Sequence, residues 1–360
     1  MSNYLYLRKY QILVSSESTK SSDGKTEKAL DVSYLHCTFN VRRGMDFNNY
    51  AIVTIYNLNR ETENQIINES DRLIINAGYE GYLNAVPYDP QTSNQAAGAG
   101  SKFNVSSGSS EVTQIQEGSP KQYGKIFDGA IIQTVRGKEN NTDYTLTLVA
   151  MDGDLFANNN FIALSCVRGQ NPRAVIETVT TKAETPTTVA KISPDISGQT
   201  LPRGKVYFGR PRDYLQDVAR SNNANAWIQD GEVHITRVTD NYTDEALVLT
   251  PQTGLIGWPQ QIQYGVSFRC LMNPQITVMS MIQLKNSEIN GMQIQTNTPG
   301  QTQPQTLQMD PNQMYQAYEV EHIGDTRGND WYTQISGYSR YGKDVVPALM
   351  KYSGQNPNSV

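Results

Sequence analysis

The chain has 360 residues and a formal net charge of −5, with only 18% charged residues against 38% hydrophobic ones. That length predicts two or three domains, and the apolar fraction is enough for real cores. No sustained Lys/Arg run occurs (Arg42-Arg43 is only a pair), which excludes the basic stripe of a nucleic-acid binder, although DNA could slide past such a surface.

Polarity comes mainly from Asn, Gln, Ser and Thr, with 21 Tyr and 27 Gly, as in many β-rich proteins of large assemblies. Cys37, Cys166 and Cys270 are odd in number and far apart, which excludes a disulfide framework and a local zinc knuckle. Buried free thiols in a reducing cytoplasm are expected. The segment Met1–Lys9 lacks the basic-then-apolar pattern of a signal peptide. No apolar run approaches the roughly 20 residues of a membrane span, so a soluble protein is expected.

In chain order, residues 4–14, 32–41 and 50–57 read as strands. The second puts Val32, Tyr34, His36 and Thr38 on one face and Leu35, Cys37 and Phe39 on the other; the third is β-branched and expected to be buried. A short helix follows, capped by Asn59, with Ile66 and Ile67 inward. Residues 71–79 return as a strand. From Glu80 to about Gln122 the pattern stops, and Gly-, Ala- and Ser-rich stretches predict a flexible insertion or one ordered by a partner. A hairpin resumes: Ile126 to Val135, a turn over 136–141, then Tyr144 to Ala150.

The middle of the chain reads as a small α/β unit. Asn171-Pro172 starts one helix, with Ala174, Val175, Ile176 and Val179 as its apolar face. A second runs from about Arg212 to Ser221, and a hairpin then turns at Asp230-Gly231. Beyond Pro251, strands are predicted over 266–271 and 275–284, a polar insertion over about 286–312, and a last hairpin, Tyr318 to Ile323 and Trp331 to Ile335. The tail from Gly342 reads as an extension.

The two β-rich parts share an order of elements. A strand with a mid-strand cysteine (Cys37, Cys270) precedes a strand closing on Leu and Asn. A polar insertion and a hairpin with Arg-Gly near its turn follow (Arg136-Gly137, Arg327-Gly328). This predicts two barrels of one architecture flanking the α/β unit; the helix after Asn59 has no counterpart in the second.

Chemistry is sparse. His36, His234 and His322 lie in predicted strands far from any nucleophile, and His36 points away from Cys37. Asp152-Gly153-Asp154 lacks the ligands of a calcium loop, and Gly98-Ala99-Gly100-Ser101-Lys102 those of a phosphate loop. Glu61 and Glu63, and Glu319 and Glu321, are paired carboxylates; the latter share a strand face as glycosidase acids might. A solvated or interface face explains them as well.

Three stretches carry a family resemblance. They are Leu255-Ile256-Gly257-Trp258-Pro259-Gln260 with Phe268-Arg269-Cys270-Leu271-Met272-Asn273-Pro274, Val53 to Asn59, and Arg210-Pro211-Arg212-Asp213-Tyr214-Leu215 leading to Ala226-Trp227-Ile228. In order, they resemble phage tail baseplate central hub proteins, the adaptors between tail tube and spike. The resemblance implies a mainly β fold of two tube-type antiparallel β-barrels with an intervening α/β domain. Residues 1–160 would form the first barrel, 161–248 the α/β domain, 249–341 the second barrel and 342–360 an extended tail.

It also implies a homotrimer in the virion baseplate, assembled in the host cytoplasm. Its partners would be a tail-tube or distal tube-ring protein, a central spike and baseplate wedge proteins, with the insertions as natural contacts. DNA would pass through the lumen without specific binding, and there would be no integral membrane contact. No catalytic, cofactor or metal residues carry over, and no enzymatic activity is expected. The family-motif positions Trp258, Pro259, Phe268, Arg269, Leu271, Asn273, Pro274, Arg210, Asp213 and Trp227 would be structural. The alternatives are another tail-tube or distal-tail component and, further off, a carbohydrate-active β enzyme.

Overall fold

The computed structural model describes residues 8–15, 29–79, 102–104, 122–140, 142–158, 160–183, 185–197, 200–237, 240, 245–262, 265–285, 287, 289–290 and 312–339. The expected extension from Gly342, the start of the first predicted strand and most of both insertions lie outside the described residues. Within the first insertion, however, a short strand forms, so that segment is not wholly irregular.

The first β part contains β1 (Arg8–Ser15), β2 (Leu30–Asp31), β3 (Cys37–Gly44), β4 (Tyr50–Tyr56) and helix α1 (Arg60–Glu69). It continues through β5 (Arg72–Tyr79), β6 (Lys102–Asn104), β7 (Tyr123–Lys138) and β8 (Tyr144–Met151). The middle part holds α2 (Asp154–Ala157), β9 (Ile162–Cys166), α3 (Pro172–Lys182), β10 (Thr188–Ile192) and α4 (Pro194–Ser197). After these come β11 (Lys205–Gly209), α5 (Pro211–Ser221), β12 (Ala224–Gln229) and β13 (Glu232–Arg237). The second β part has β14 (Glu245–Val248), β15 (Leu255–Ile262), β16 (Gly265–Leu271), β17 (Met281–Gln283), β18 (Met314–Asp325) and β19 (Trp331–Ser339). No helix among the described residues is long and apolar enough to cross a membrane.

The fold is mostly β, with a curled, half-barrel sheet. One sheet runs β15-β16-β19-β18-β3-β4-β8-β7-β5-β1-β2, with β17, β14 and β6 branching from β18. The middle part has its own sheet, β10-β13-β12, packed on α3 and α5, and a two-stranded pair β9–β11. Three large apolar clusters follow these divisions: one around Ile12, Val53, Leu73 and Leu148, one around Val175, Leu215 and Ile235, one around Phe268, Tyr315 and Ile335.

Local chemistry sets many element ends. Asn59 Oδ1 accepts from Glu61 N–H and caps α1, which buries Ile66; Asn171 does the same for α3 through Arg173 N–H, with Pro172 at the first helical position. Asp230 and Gly231 both have positive φ (54° and 78°), the turn that matches strand twist between β12 and β13.

Elsewhere local bonds override strand propensity. Asp31 accepts from Ser33, and Leu35 N–H bonds Val32 O, so residues 32–36 turn and the strand begins only at Cys37. The expected strand over 275–284 shrinks to β17. Asn273 Oδ1 accepts from Gln275 N–H, Thr277 N–H bonds Ser280 Oγ, and Met279 is left-handed at φ 68°. In β4, Ala51, Val53 and Ile55 are buried while Ile52 is exposed, so one face only packs inward. Ala174 likewise lies outside the buried face of α3.

The repeat is present, one strand out of step with the cysteine pairing. In chain order β1, β3, β4, β5, β7 and β8 correspond to β14, β15, β16, β17, β18 and β19, with the same neighbours in the sheet. Cys37 therefore sits in a strand equivalent to β15, not to the β16 of Cys270. Hairpin registers agree in detail: β7–β8 shifts between Ile131 and Gln133, β18–β19 between Ala317 and Glu319. Ile131 N–H bonds Asp71 O as Ala317 N–H bonds Ser280 O. The copies depart where β1–β5 is antiparallel and β14–β17 parallel, and where β15–β16 and β5–β7 carry register shifts that β3–β4 and β17–β18 lack.

Gly324 lies under the Phe39 ring, which is itself wedged edge-on against Trp331 at 5.4 Å. A Cβ there would clash with the Cζ end of the ring. Gly324→Ala is expected to lower unfolding stability by about 1–3 kcal/mol, read from denaturant midpoints, because the buried Phe39 ring packed on Trp331 would have to shift.

Candidate assembly surfaces

The joint between the two β parts is the antiparallel ladder from Glu319↔Gly44 to Asp325↔Thr38. Arg42 Nε donates to Glu319 Oε1 at 2.6 Å, and Asn40 Nδ2 donates to Glu321 Oε1 at 2.8 Å. The two glutamates do share a face, but each is engaged across the seam rather than converging on a cleft. Glu63, of the other pair, accepts from Arg136 Nε at 2.6 Å.

At the seam's end, Arg8 donates to Gly328 O at 2.6 Å and Asn329 O at 3.1 Å, and His36 Nε2 lies 2.8 Å from Asp325 Oδ1. His322 is wholly buried with Nδ1 2.9 Å from Thr333 Oγ1; burial, then the nearby Arg43 charge, pushes its pKa down to about 3. Cys37 is buried, its thiol pushed up to about 12 by burial.

A second joint fixes the α/β part. Asp152, just after β8, accepts from Asp230 N–H at 2.6 Å and Gly231 N–H at 3.0 Å. Buried Arg43 pairs with Asp230 at 2.8 Å, Lys125 stands 3.9 Å from it, and Asn49 Nδ2 bonds Ile228 O. Burial, then the Asp230 charge, raises the Asp152 pKa to about 7, against Arg43 and the two backbone donors. Of the aspartates that might have suggested calcium, Asp152 therefore forms a turn clamp beside a cleft of about 510 Å³, while Asp154 opens α2 and accepts from Asn158 Nδ2. Among the described residues, no group of three His, Cys, Asp or Glu side chains could hold a metal ion.

The motif positions divide into packing and surface. Trp227 is buried, stacked on His234 at 5.2 Å and packed with Val278, Met279 and Met45. Phe268 is core, and Asn273 is buried, its N–H bonded to Thr333 Oγ1. Pro274 comes close to Gly124, tying the turn after β16 to β7, and half-buried Leu271 packs against the first β core. Exposed Arg269 bonds Gln334 and lies over the Tyr332 ring. Arg210 and Asp213 pair in the open at the start of α5. On β15, Pro259 is buried while Trp258 is 65% exposed.

The sequence reading missed the exposed apolar residues of β7, β8, β9 and β11. Val206 and Phe208 stand out on one side, near Phe161 and Val167, with Phe161 edge-on to Phe208 at 4.6 Å. Alternation in Val206-Tyr207-Phe208 was the available signal, but not which face would be covered. Ile132, Val135 and Tyr144 are exposed along the β7–β8 hairpin.

Neither a known protein family nor a curated protein sequence matches this chain. Solved structures do. The chain is similar to the 43 kDa tail protein of prophage MuSo2 from Shewanella oneidensis, with TM-score 0.50 and 8% identity over 92% of this chain and 97% of that one. Other matches are a tail protein from Neisseria meningitidis MC58 (0.46, 9%, 92% and 96%) and the E. coli c3393 protein (0.47, 9%, 88% and 76%). The latter is described as a type VI secretion system component structurally similar to the T4 tail proteins gp27 and gp5. The first likeness, spanning nearly both chains, defines the fold as that of a phage tail protein.

The clamp predicts a pH dependence with a definite sign. Asp152 carries a folded pKa raised to about 7, so its contribution is full below the ordinary carboxyl value and is lost as pH rises through about 7. His234 and His322, depressed to about 4 and about 3, act oppositely: their contribution is full above pH 6.5 and is lost as pH falls through those values. Between pH 6.5 and 8 the wild-type Tm should therefore fall, and Asp152→Asn should flatten that slope in thermal scans. An unchanged slope in the variant would remove Asp152 as its source.

Proposed function

We propose that this chain is a non-enzymatic hub subunit of a phage-type tail baseplate, a homotrimeric adaptor joining a sixfold tail tube to a threefold central spike. The observation that carries it is the repeat: six strands recur in the same order, with the same bulge register in both hairpins. Three chains with two similar β parts each offer six similar units on one side and threefold symmetry on the other. The fold likeness to a prophage tail protein over nearly its full length supports the same reading.

In this reading residues 1–160 and 249–341 are the two tube-type units and 161–248 the domain between them. The partners are tube, spike and wedge proteins, and the ring surrounds the DNA path without binding sequence, as the absence of a basic run allows. The engagement of Glu319 and Glu321 with Arg42 and Asn40 weighs against glycosidase chemistry, which needs two carboxyls flanking a sugar.

Light scattering on the full chain across a concentration series tests the assembly. A mass near three times 40.2 kDa is the expected result. A hexamer would favour a tube component, and a monomer at every concentration would count against a self-assembling adaptor.

A further inference from the structure

Among the described residues, the three most exposed large apolar side chains, Phe208, Val206 and Val167, all belong to the β9–β11 sheet or its flank. Phe161 joins them, and the four are between 60% and 78% exposed. The register explains the gathering. Phe208 faces Ala163 and Val206 faces Ser165, so these four share one side of the sheet, and Phe161 stands edge-on to Phe208 at 4.6 Å. The other side is covered: Ile162 and Cys166 are buried in the apolar cluster of the α/β part, and Leu164 and Tyr207 pack against it. Alternation has thus built a two-stranded sheet with two apolar faces, and only one has a second layer among the described residues.

The bare face has a definite size. Its two strands lie about 4.8 Å apart, so with their flanks they match the roughly 10 Å diameter of one helix. From Phe161 to Val167 it runs roughly 20 Å at about 3.3 Å per residue, the length of about 13 helical residues. Small Ala163 and Ser165 leave a shallow trough between Phe161 and Val167, walled by Val206 and Phe208. A second sheet would overhang so narrow a face, whereas a single helix covers it.

Charge is as uneven as polarity. Residues 155–176 and 196–212 contain Arg168, Arg173, Arg203, Lys205, Arg210 and Arg212 and no acid, in a chain of net charge −5. Lys205 faces Cys166, so Arg168, Arg203 and Lys205 collect at the Val167 end of the face. Arg173 and Arg210 pair with Glu177 and Asp213, but among the described residues Arg168, Arg203 and Lys205 pair with no acid.

We propose that this face docks an amphipathic α-helix of a partner protein, apolar toward Val206 and Phe208 and acidic where it crosses Arg168, Arg203 and Lys205. The contact lies on the α/β part and does not depend on the hub assembly. A helix with its C-terminus at the basic end brings its own partial negative charge to the same place. An anionic bilayer fits less well. The outer edges of β9 and β11 carry no neighbouring strand among the described residues, and open edges of that kind stay out of lipid.

The test uses the full chain and two fluorescein-labelled helical peptides of about 14 residues. Both carry leucine along one face; one has glutamate on its flanks and the other lysine. In fluorescence anisotropy the glutamate peptide is expected to bind roughly tenfold tighter than the lysine one, and to loosen as salt rises. Val206→Ser with Phe208→Ser should abolish that binding, and Arg168→Glu with Arg203→Glu should reverse the preference. All four side chains are exposed, so the circular dichroism spectrum should not change. Equal binding of the two peptides, no binding, or binding that survives Val206→Ser with Phe208→Ser overturns the inference. So does co-sedimentation with phosphatidylglycerol vesicles in place of peptide binding, which would make the face a lipid surface.

Discussion

Successive side chains along a strand point to opposite faces, and at Arg42 and Arg43 this sends one guanidinium across the seam to Glu319 and the other inward to Asp230. One strand, β3, thus carries both joints of the molecule. The half-exposed Arg42–Glu319 pair contributes under about 1 kcal/mol, so charge alone does not hold the seam. Beneath it, Phe39, Val41 and Val320 are buried, and the backbone ladder has no other partner for those amides. Arg43 is different. Buried beside His322 and opposite Asp230, it is an ion whose loss of partner would cost roughly 3–5 kcal/mol. Its effect is positional, because the Asp230-Gly231 turn can dock only where that charge and Asp152 both find it.

What could be read from the sequence follows from how local each signal is. The caps at Asn59 and Asn171, the turn at Asp230-Gly231 and both long hairpins involve residues within a few positions of one another. The failures at 32–36 and 275–280 are also local, but there Asp31, Asn273 and Ser280 offer the backbone competing bonds that an apolar pattern does not reveal. The seam had no local signal, since Glu319 and Arg42 lie far apart in sequence and either strand could as well have been an edge. The repeat was visible in its order of elements and misaligned in its strands, because Cys37 and Cys270 look equivalent but occupy β3 and β16.

The candidate surface was the least legible part. Trp258 was singled out by resemblance and does stand exposed on an edge strand, but Phe268, Asn273 and Trp227 in the same motifs proved to be packing residues. A motif of aromatic, Asn and Pro residues cannot separate these roles. Exposure depends on whether another strand lies alongside, which is a property of the whole sheet.

That property also explains why two similar halves need not be interchangeable. Joined through one chain, β3 and β18 meet at a high effective concentration, and the buried Phe39, Val41 and Val320 beneath their ladder add to it. Strands meeting between separate copies gain no such help and pay the full entropy of association, which apolar burial must offset. The β7–β8 hairpin of the first half, with Ile132, Val135 and Tyr144, and β15 of the second, with Ile256 and Trp258, expose apolar side chains. The corresponding positions inside the chain, Glu321 and Arg42 among them, are polar. The halves therefore differ most in what their edges carry, while the strand order and the bulge of the long hairpin are kept.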